Sequence, residues 1–243
     1  MNITEAYSII PARDFLRLAD CQAVIFDMDG VLADTEEFHL EAWIELVRSH
    51  SLEASGPETK EEGVSDGMLE LIRNTFGQSN DTIIPLLWKK AERSIGDDLA
   101  DLSHEKEASY RGCARSRVQP MPGIENFLRL LAEERIPAAI GTSGPKENVS
   151  FLLEEFSWAG LFSSLVHRER FDAGKPAPDC FLKAAEDLGS DPGTTIVFED
   201  SLHGLEGACR GGFMPAAIAS THRPEELTGI ARWVFRDFLD LSC

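Results

Sequence analysis

Positive charge is scarce in this chain. Lysine and arginine together number 23 against 42 aspartate and glutamate residues, which gives a formal net charge of -19 at pH 7. Such an acidic chain argues against binding through a nucleic acid backbone or an anionic membrane surface, because both would repel it. A small anionic substrate is still allowed, since a metal ion and a few local cations can set the charge of one cleft.

Metal-binding cysteine patterns and long apolar runs are also lacking. The five cysteines are scattered, odd in number and without metal-ligand spacing, so we expect reduced thiols in a cytoplasmic protein. No apolar run approaches the roughly 20 residues of a membrane span, and the N-terminus lacks the basic, apolar and small-residue pattern of a secretion signal. We therefore predict a soluble, cytoplasmic globular protein with no membrane partner and no nucleic acid partner. The oligomeric state stays unknown at this point.

Apolar runs alternate with amphipathic segments in the second half of the chain. Because strands that alternate with helices of about ten residues form right-handed βαβ units, the predicted fold is α/β with a Rossmann-like parallel sheet. The first strand is the apolar run 23–26. Later strands are predicted at 137–142, 164–167, 194–198, 215–219 and 233–235, and helices at 124–134, 149–156, 179–188 and 202–210.

A helical block separates the first strand from this alternation. Apolar residues recur there at helical spacing with charged residues between them, and no convincing strand is present. We expect four or five helices and therefore a small helical domain at 36–118, inserted into an α/β domain formed by 1–35 and 119–243. The predicted breaks between its helices lie near 55–57, 77–81, 96–98 and 102–103.

Acidic and hydroxyl residues follow the predicted strands, at the sheet edge where open α/β folds bind ligands. Asp27 and Asp29 end the first strand, and two carboxylates this close repel each other unless a cation or a shared proton relieves them. The residues after the next three strands are Thr142 and Ser143, then Lys175 in a Gly-Lys-Pro-Ala-Pro-Asp loop, then Glu199 and Asp200.

This set contains the parts needed for phosphoryl transfer. Carboxylates meeting at one edge suit a hard cation bound by oxygen, and Mg²⁺ is the natural choice. A metal, a carboxylate nucleophile, an anion-binding hydroxyl and a lysine are what transfer through an aspartyl-phosphate requires. The carboxylates in question are Asp27, Asp29, Glu199 and Asp200.

Each residue also has a purely structural interpretation. Glu199 and Asp200 could stabilise the N-terminus of the helix that follows them. Thr142 and Ser143 could be an ordinary pair of helix N-cap residues, and Lys175 could be a solvated loop lysine, as most lysines are.

Four motifs in order resemble those of the haloacid dehalogenase-like (HAD) hydrolases. They are Phe-Asp-Met-Asp-Gly-Val-Leu-Ala-Asp-Thr, Gly-Thr-Ser, Gly-Lys-Pro-Ala-Pro-Asp and Phe-Glu-Asp-Ser. The resemblance spans nearly the whole chain, and the helical block stands where this superfamily carries a helical cap. Within it, the chain is more similar to the branch of β-phosphoglucomutase and small sugar-phosphate phosphatases.

The resemblance implies a role for each motif residue. Asp27 would take the phosphoryl group as the nucleophile, and Asp29 would act first as general acid and then as general base. Thr142 would donate a hydrogen bond to the phosphoryl oxygens, and Lys175 would neutralise Asp27 and the transferring phosphate. An acid two residues after the nucleophile fits phosphate chemistry rather than dehalogenation, which needs no acid for an alkoxide.

The same resemblance implies a Mg²⁺ site and a set of substrate contacts. The ion would be bound by Asp27, by the backbone carbonyl of Asp29 and by Asp200, with Glu199 direct or through a water. The implied substrate is a small phosphorylated metabolite. Its contacts would come from Gly30, Thr35, His39, Lys106, Thr142, Ser143 and Gly144.

Three of these contacts lie in or next to the helical block. Thr35 and His39 are four residues apart at the start of its first helix and face the same way. Lys106 stands in a Lys-x-x-x-Tyr element similar to one whose lysine reaches the cleft in the family. The structural alternatives are a half-buried His39 beside Trp43 and a solvated Lys106.

The block also departs from the mutase pattern. Asp66 stands where the mutase has the arginine that holds the second phosphate of its bisphosphorylated intermediate, and an acid there would repel that phosphate. The segment 73–104 is expanded as well. Both features favour a phosphatase over a β-phosphoglucomutase-like mutase. A catalytically silent binding protein on the same fold would be expected to have lost a nucleophile, a metal ligand or the lysine, and none is missing here.

Overall fold

The computed structural model of the chain describes residues 9–52, 64–75, 77–96 and 99–242. The chain divides into two compact units. The first, which we call the α/β unit, comprises Met1–Asp34 and Gln119–Cys243, and the second, the helical unit, is Thr35–Val118. The helical unit thus begins one residue before the start predicted from the sequence, and it ends at the same residue. The assignment of the two units as catalytic core and cap stays a prediction.

The strands of the described residues all belong to the α/β unit. Four of them are entirely buried, which explains why these four appear in the sequence as continuous apolar runs rather than alternating patterns. In chain order they are β1 (Ile10–Pro11), β2 (Ala23–Phe26), β3 (Ala33–Asp34), β4 (Gln119–Pro120), β5 (Ala138–Gly141), β6 (Ser164–Val166), β7 (Thr195–Glu199), β8 (Met214–Ile218), β9 (Trp233–Phe235) and β10 (Leu241–Ser242).

A parallel sheet of six strands, in the order β6-β5-β2-β7-β8-β9, confirms the predicted α/β fold. Its register determines which residues meet at the carboxyl edge. Phe26 lies beside Ile140 on one side and Phe198 on the other. The residues that directly follow these three positions in the chain therefore reach the edge together.

Helices connect the strands of the sheet and build the helical unit. The predicted helices 124–134, 179–188 and 202–210 match the observed bounds, and the predicted helix 149–156 begins at Lys146 instead. The helices are α1 (Ala12–Leu18), α2 (Glu36–Ser49), α3 (Asp66–Asn74), α4 (Asn80–Lys90), α5 (Leu99–Ala114), α6 (Ile124–Glu134), α7 (Lys146–Glu155), α8 (Asp179–Leu188), α9 (Leu202–Arg210) and α10 (Pro224–Leu227).

One predicted helix break is wrong. The structure has no interruption at residues 102–103, because α5 runs through them. Leu102 is buried in the core of the helical unit, and Ser103 Oγ accepts a hydrogen bond of 2.8 Å from Asn80 Nδ2 of α4. Packing against neighbouring helices thus outweighs the modest helix propensity of serine. The break predicted near 55–57 lies outside the described residues, as do positions 97 and 98 of the break near 96–98.

Aromatic rings hold the central strands of the sheet in place. Phe26 of β2 stacks on Phe198 of β7, with ring centroids 5.4 Å apart and planes 10° apart. Phe127 of α6 meets both rings edge-on, at 6.2 and 5.5 Å. Asp27 and Glu199 directly follow the two stacked residues, so the bases of both carboxylates stand on rigid backbone.

The helical unit has its own apolar core. The expanded segment 73–104 contributes much of it, including Ile83, Ile84, Leu87 and Trp88 of α4. The additional residues of this segment therefore supply side chains to the apolar core of the helical unit. None of the described helices is long and apolar enough to cross a membrane.

Candidate active site

Asp27 stands where β2 leaves the sheet. Its backbone N–H still donates to Phe198 O at 2.9 Å, and only 4% of the residue is exposed. Asp29, two residues on, is half-buried. The chain then turns at Gly30, whose φ of +71° lies in the left-handed region that favours glycine.

Lys175 is buried between two of the predicted carboxylates. Its Nζ lies 2.8 Å from Asp27 Oδ1 and 2.5 Å from Glu199 Oε1, and none of its side chain is exposed. The alternative of a solvated loop lysine therefore does not hold for this residue. A buried ammonium needs such partners, because transferring it out of water without them would cost on the order of several kcal/mol.

Glu199 divides its two oxygens between two tasks. Oε2 accepts hydrogen bonds of 2.9 Å from Asp200 N, Ser201 N and Ser201 Oγ at the start of α9, while Oε1 faces Lys175. Oε2 therefore stabilises the N-terminus of the helix, as the structural interpretation predicts, and Oε1 takes part in the acidic cluster. Gly204 makes room for this carboxylate, since a Cβ on it would lie 1.8 Å from Oε1.

Asp200 completes a buried acidic cluster. Asp27, Glu199 and Asp200 each offer a carboxylate oxygen, and these oxygens lie within 4.8 Å of one another. Asp200 is 6% exposed, and its Oδ2 accepts a hydrogen bond from Thr221 Oγ1.

Sequence reasoning missed the residues that contact Asp200 from β8. Ser220, Thr221 and His222 follow this strand at the same sheet edge, and all three lie within hydrogen-bonding reach of Asp200. The rule used for the other strands, to examine whatever follows each one, would have found them.

The electrostatics of the cluster follow from its burial. Burial, with repulsion from Glu199 and Asp29, raises the pKa of Asp27 to about 7 against the attraction of Lys175. Burial and the same kind of repulsion raise the pKa of Asp200 above its ordinary range. For Lys175, burial alone would lower the pKa, but attraction to Asp27 and Glu199 outweighs it and the pKa is raised.

The cluster fits a divalent cation bound by oxygen. Its three carboxylates and one ammonium carry an excess of two negative charges when all are ionised. Asp27 Oδ1 is buried and, among the described residues, receives no well-directed hydrogen bond despite the nearby ammonium. An all-oxygen set with an available carboxylate oxygen suits Mg²⁺.

The loop after β5 brings Thr142 next to the same edge. Thr142 is 1% exposed, and its Oγ1 accepts a hydrogen bond of 3.0 Å from Gly144 N. A Cβ on Gly144 would lie 3.8 Å from Asp29 Oδ2, which places this loop beside the second aspartate. The N-cap alternative is wrong here, because the N-cap residue of α7 is Pro145 and neither Thr142 nor Ser143 occupies that position. Ser143 lies in the same loop and is half-buried.

The remaining predicted contacts belong to the helical unit. Thr35 is fully buried at the N-cap position of α2, and His39 N donates to its carbonyl at 3.0 Å. Lys106 is 3% exposed, so it is not a solvated lysine. Its Nζ lies 2.7 Å from His39 Nδ1, 2.9 Å from Glu107 Oε1 and 4.7 Å from the centre of the Trp43 ring.

His39 is half-buried, as its structural interpretation predicts. Since an ammonium only donates, Lys106 Nζ is the donor in its contact with His39 Nδ1. The ring of His39 also stacks on Tyr110, with centroids 3.8 Å apart.

Asp66 opens α3. Ser65 is the N-cap, accepting from Met68 N at 3.3 Å, and the exposed Asp66 occupies the first turn. An acid in this position interacts favourably with the helix dipole. The structure thus gives a local reason for an acid at this position.

Comparison with known proteins places the chain in one family and one branch of it. The model of the haloacid dehalogenase-like hydrolases matches residues 21–212. The chain is 29% identical to the phosphorylated carbohydrates phosphatase of Thermotoga maritima, over 79% of this chain and 82% of that protein. It is 28% identical to the fructose-1-phosphate phosphatase of Escherichia coli, over 78% and 92%. In fold it is similar to the β-phosphoglucomutase of Clostridium difficile, with a TM-score of 0.76 at 19% identity over 91% and 93% of the two chains.

Proposed function

Because the chain belongs to the haloacid dehalogenase-like hydrolases and is a phosphatase of its β-phosphoglucomutase and sugar-phosphatase branch, we propose that it hydrolyses a small phosphorylated sugar or related metabolite through an aspartyl-phosphate. The observation that carries this proposal is the buried cluster of Asp27, Lys175, Glu199 and Asp200. The two named phosphatase relatives support the sugar phosphate as substrate class.

Asp27 is the proposed nucleophile. Its carboxylate attacks phosphorus while the bond from phosphorus to the ester oxygen breaks, and Asp29 gives its proton to the leaving alkoxide. Water then attacks the aspartyl-phosphate, Asp29 takes the proton back, and phosphate leaves with Asp27 regenerated. The half-buried Asp29 suits a group that must exchange its proton.

Lys175 and the loop after β5 would serve the transferring group. The ammonium of Lys175 offsets the charge of Asp27 so that the carboxylate can approach an anionic phosphoryl group. The Thr142 hydroxyl accepts from Gly144 N and keeps its own O–H to donate to a phosphoryl oxygen. Ser143 and the backbone at Gly30 and Gly144 are proposed as further contacts.

Mg²⁺ is the proposed cofactor, and Asp27, Asp200 and the backbone carbonyl of Asp29 would hold it. When bound, it would supply positive charge to the phosphoryl oxygens. Glu199 already takes three donors on Oε2 and Lys175 on Oε1, so its proposed role is to hold Lys175, and any contact with the ion would be made through a water.

Substrate selection is assigned to the helical unit. Lys106 would contact an anionic or polar part of the substrate. Its Nζ lies next to His39, whose backbone N–H donates to the carbonyl of Thr35. Asp66 supports a phosphatase over a mutase, because a second phosphate at an acid would be repelled.

A screen of phosphorylated metabolites tests this function. We expect Mg²⁺-dependent release of phosphate from one or more sugar phosphates. The screen includes β-glucose 1-phosphate with its bisphosphate activator. Isomerisation of that substrate without phosphate release would instead identify a mutase, and release from none of the compounds would contradict the proposed substrate class.

A further inference from the structure

The loop that follows β8 fastens Asp200 to the turn after β2. Ser220 Oγ donates to Gly30 O at 2.6 Å and lies 3.5 Å from Asp200 Oδ2. Thr221 Oγ1 donates to the same Oδ2. His222 Nδ1 lies 3.2 Å from the backbone carbonyl of Asp200, and since a carbonyl only accepts, this nitrogen carries the proton.

These contacts all fall on one side of the Asp200 carboxylate. A Cβ on Gly30 would lie 2.1 Å from Asp200 Oδ2 and 3.1 Å from Ser220 Oγ. Oδ2 is therefore enclosed by Gly30, Ser220 and Thr221. Both hydroxyl contacts go to Oδ2, and among the described residues no side chain donates a hydrogen bond to Oδ1.

We propose that Ser220 and Thr221 are positioning residues, which hold Oδ2 of Asp200 so that Oδ1 is presented to the cation together with Asp27. This inference rests on the Mg²⁺ site of the proposed function and adds to it the groups that orient one ligand. Ser220 has a second effect, because its bond to Gly30 O ties the turn that carries Asp29 to the loop that carries Asp200.

Mg²⁺ makes such orientation important. It demands near-ideal octahedral geometry and tolerates misplaced ligands less well than Ca²⁺ does. Hydrogen bonds from outside the coordination shell that fix a ligating carboxylate typically change metal affinity by about 10- to 100-fold when they are removed. Loss of the Thr221 hydroxyl should therefore weaken Mg²⁺ more than Ca²⁺.

The test is titration calorimetry of metal-free protein with Mg²⁺ alone and with Ca²⁺ alone. Thr221→Val keeps the shape and removes the hydroxyl, and we expect its Mg²⁺ affinity to fall by about 10-fold or more. Thr221→Ser restores the donor and should recover most of the affinity. The matched control is Thr228→Val, because Thr228 Oγ1 donates to Glu225 O of α10, away from the acidic cluster.

The outcomes separate this inference from the proposed function. If wild-type protein binds Mg²⁺ and Thr221→Val binds it equally well, the positioning role is wrong while the metal site stands. If wild-type protein does not bind Mg²⁺, the metal site itself fails. The unfolding temperature of each metal-free variant shows whether its fold is disturbed. If Thr221→Val is disturbed, Ser220→Ala replaces it in the test, and its Mg²⁺ affinity is also expected to fall. If Thr221→Ser and Thr221→Val lose Mg²⁺ affinity to the same extent, the inference is also overturned.

Discussion

Replacing Lys175 with methionine removes the ammonium that lies between Asp27 and Glu199. At an effective dielectric constant of about 20, charges 2.8 Å apart attract by roughly 6 kcal/mol. The cost of burying the ammonium offsets part of this, and losing one partner of a buried pair typically leaves a net destabilisation of about 3–5 kcal/mol. For a chain of this size we expect the unfolding temperature of the metal-free protein to fall by about 10 °C near pH 8.

The loss should depend on pH in a definite direction. Between pH 5 and pH 8 Lys175 is charged in both the folded and the unfolded state, because its pKa is raised from an already high value. Asp27 and Asp200 have raised pKa values in the folded protein. The stability that they contribute is therefore fully present below the pKa of the unfolded state. It is lost as pH rises through the pKa of the folded state, which is about 7 for Asp27. Without Lys175 both values rise further, so Lys175→Met should be much less damaging at pH 5 than at pH 8.

Thermal unfolding in a chelator at both pH values measures this. Lys183→Met is the matched control, since Lys183 is a partly exposed lysine of α8 paired with Glu186 and Asp187. Exposed pairs contribute about 0–1 kcal/mol, so the control should move little at either pH. A Lys175→Met protein as stable as wild type at pH 8, or equally destabilised at both pH values, would refute this electrostatic account.

Three further predictions concern single residues. Asp27→Asn should abolish phosphate release from every active substrate without unfolding the protein, as measured by phosphate release and circular dichroism; undiminished turnover would remove Asp27 as nucleophile. Lys106→Ala should raise KM for the best sugar phosphate while barely altering p-nitrophenyl phosphate hydrolysis, and equal effects on both substrates would remove it from specificity. Gly204→Ala should displace Glu199 and destabilise the protein by about 1–3 kcal/mol, because its Cβ would lie 1.8 Å from Oε1. Gly112→Ala, where a Cβ meets nothing within 4 Å, is the control and should not destabilise.

The sheet and its carboxyl edge could be predicted because the relevant information is local. Buried parallel strands need apolar residues on both faces, so their sequences stand out and their ends are readily located. Once the ends are known, parallel pairing carries Asp27, Thr142 and Glu199 to one edge without knowledge of the strand order. The burial of Lys175 could not be deduced in this way, because its loop has no periodic pattern.

Other features depend on contacts that no local pattern encodes. The pairing of β1 with β10 joins the two ends of the described chain, and their four residues show no strand signature. Helix α5 continues through Ser103 because of Asn80 on a neighbouring helix. The division of labour between the oxygens of Glu199 depends on Gly204, a residue whose small size has meaning only beside the carboxylate.

The aspartyl-phosphate on Asp27 can be tested most directly by trapping it. p-Nitrophenyl phosphate has a leaving group that needs no proton, so Asp29→Asn should still be phosphorylated by it but should be slow to activate the water that releases phosphate. Mass spectrometry of the quenched and digested variant should then find a phosphoryl group on the peptide that contains Asp27, and none when Asp27→Asn is added. A phosphoryl group on another residue, or turnover by the double variant, would contradict the proposed mechanism.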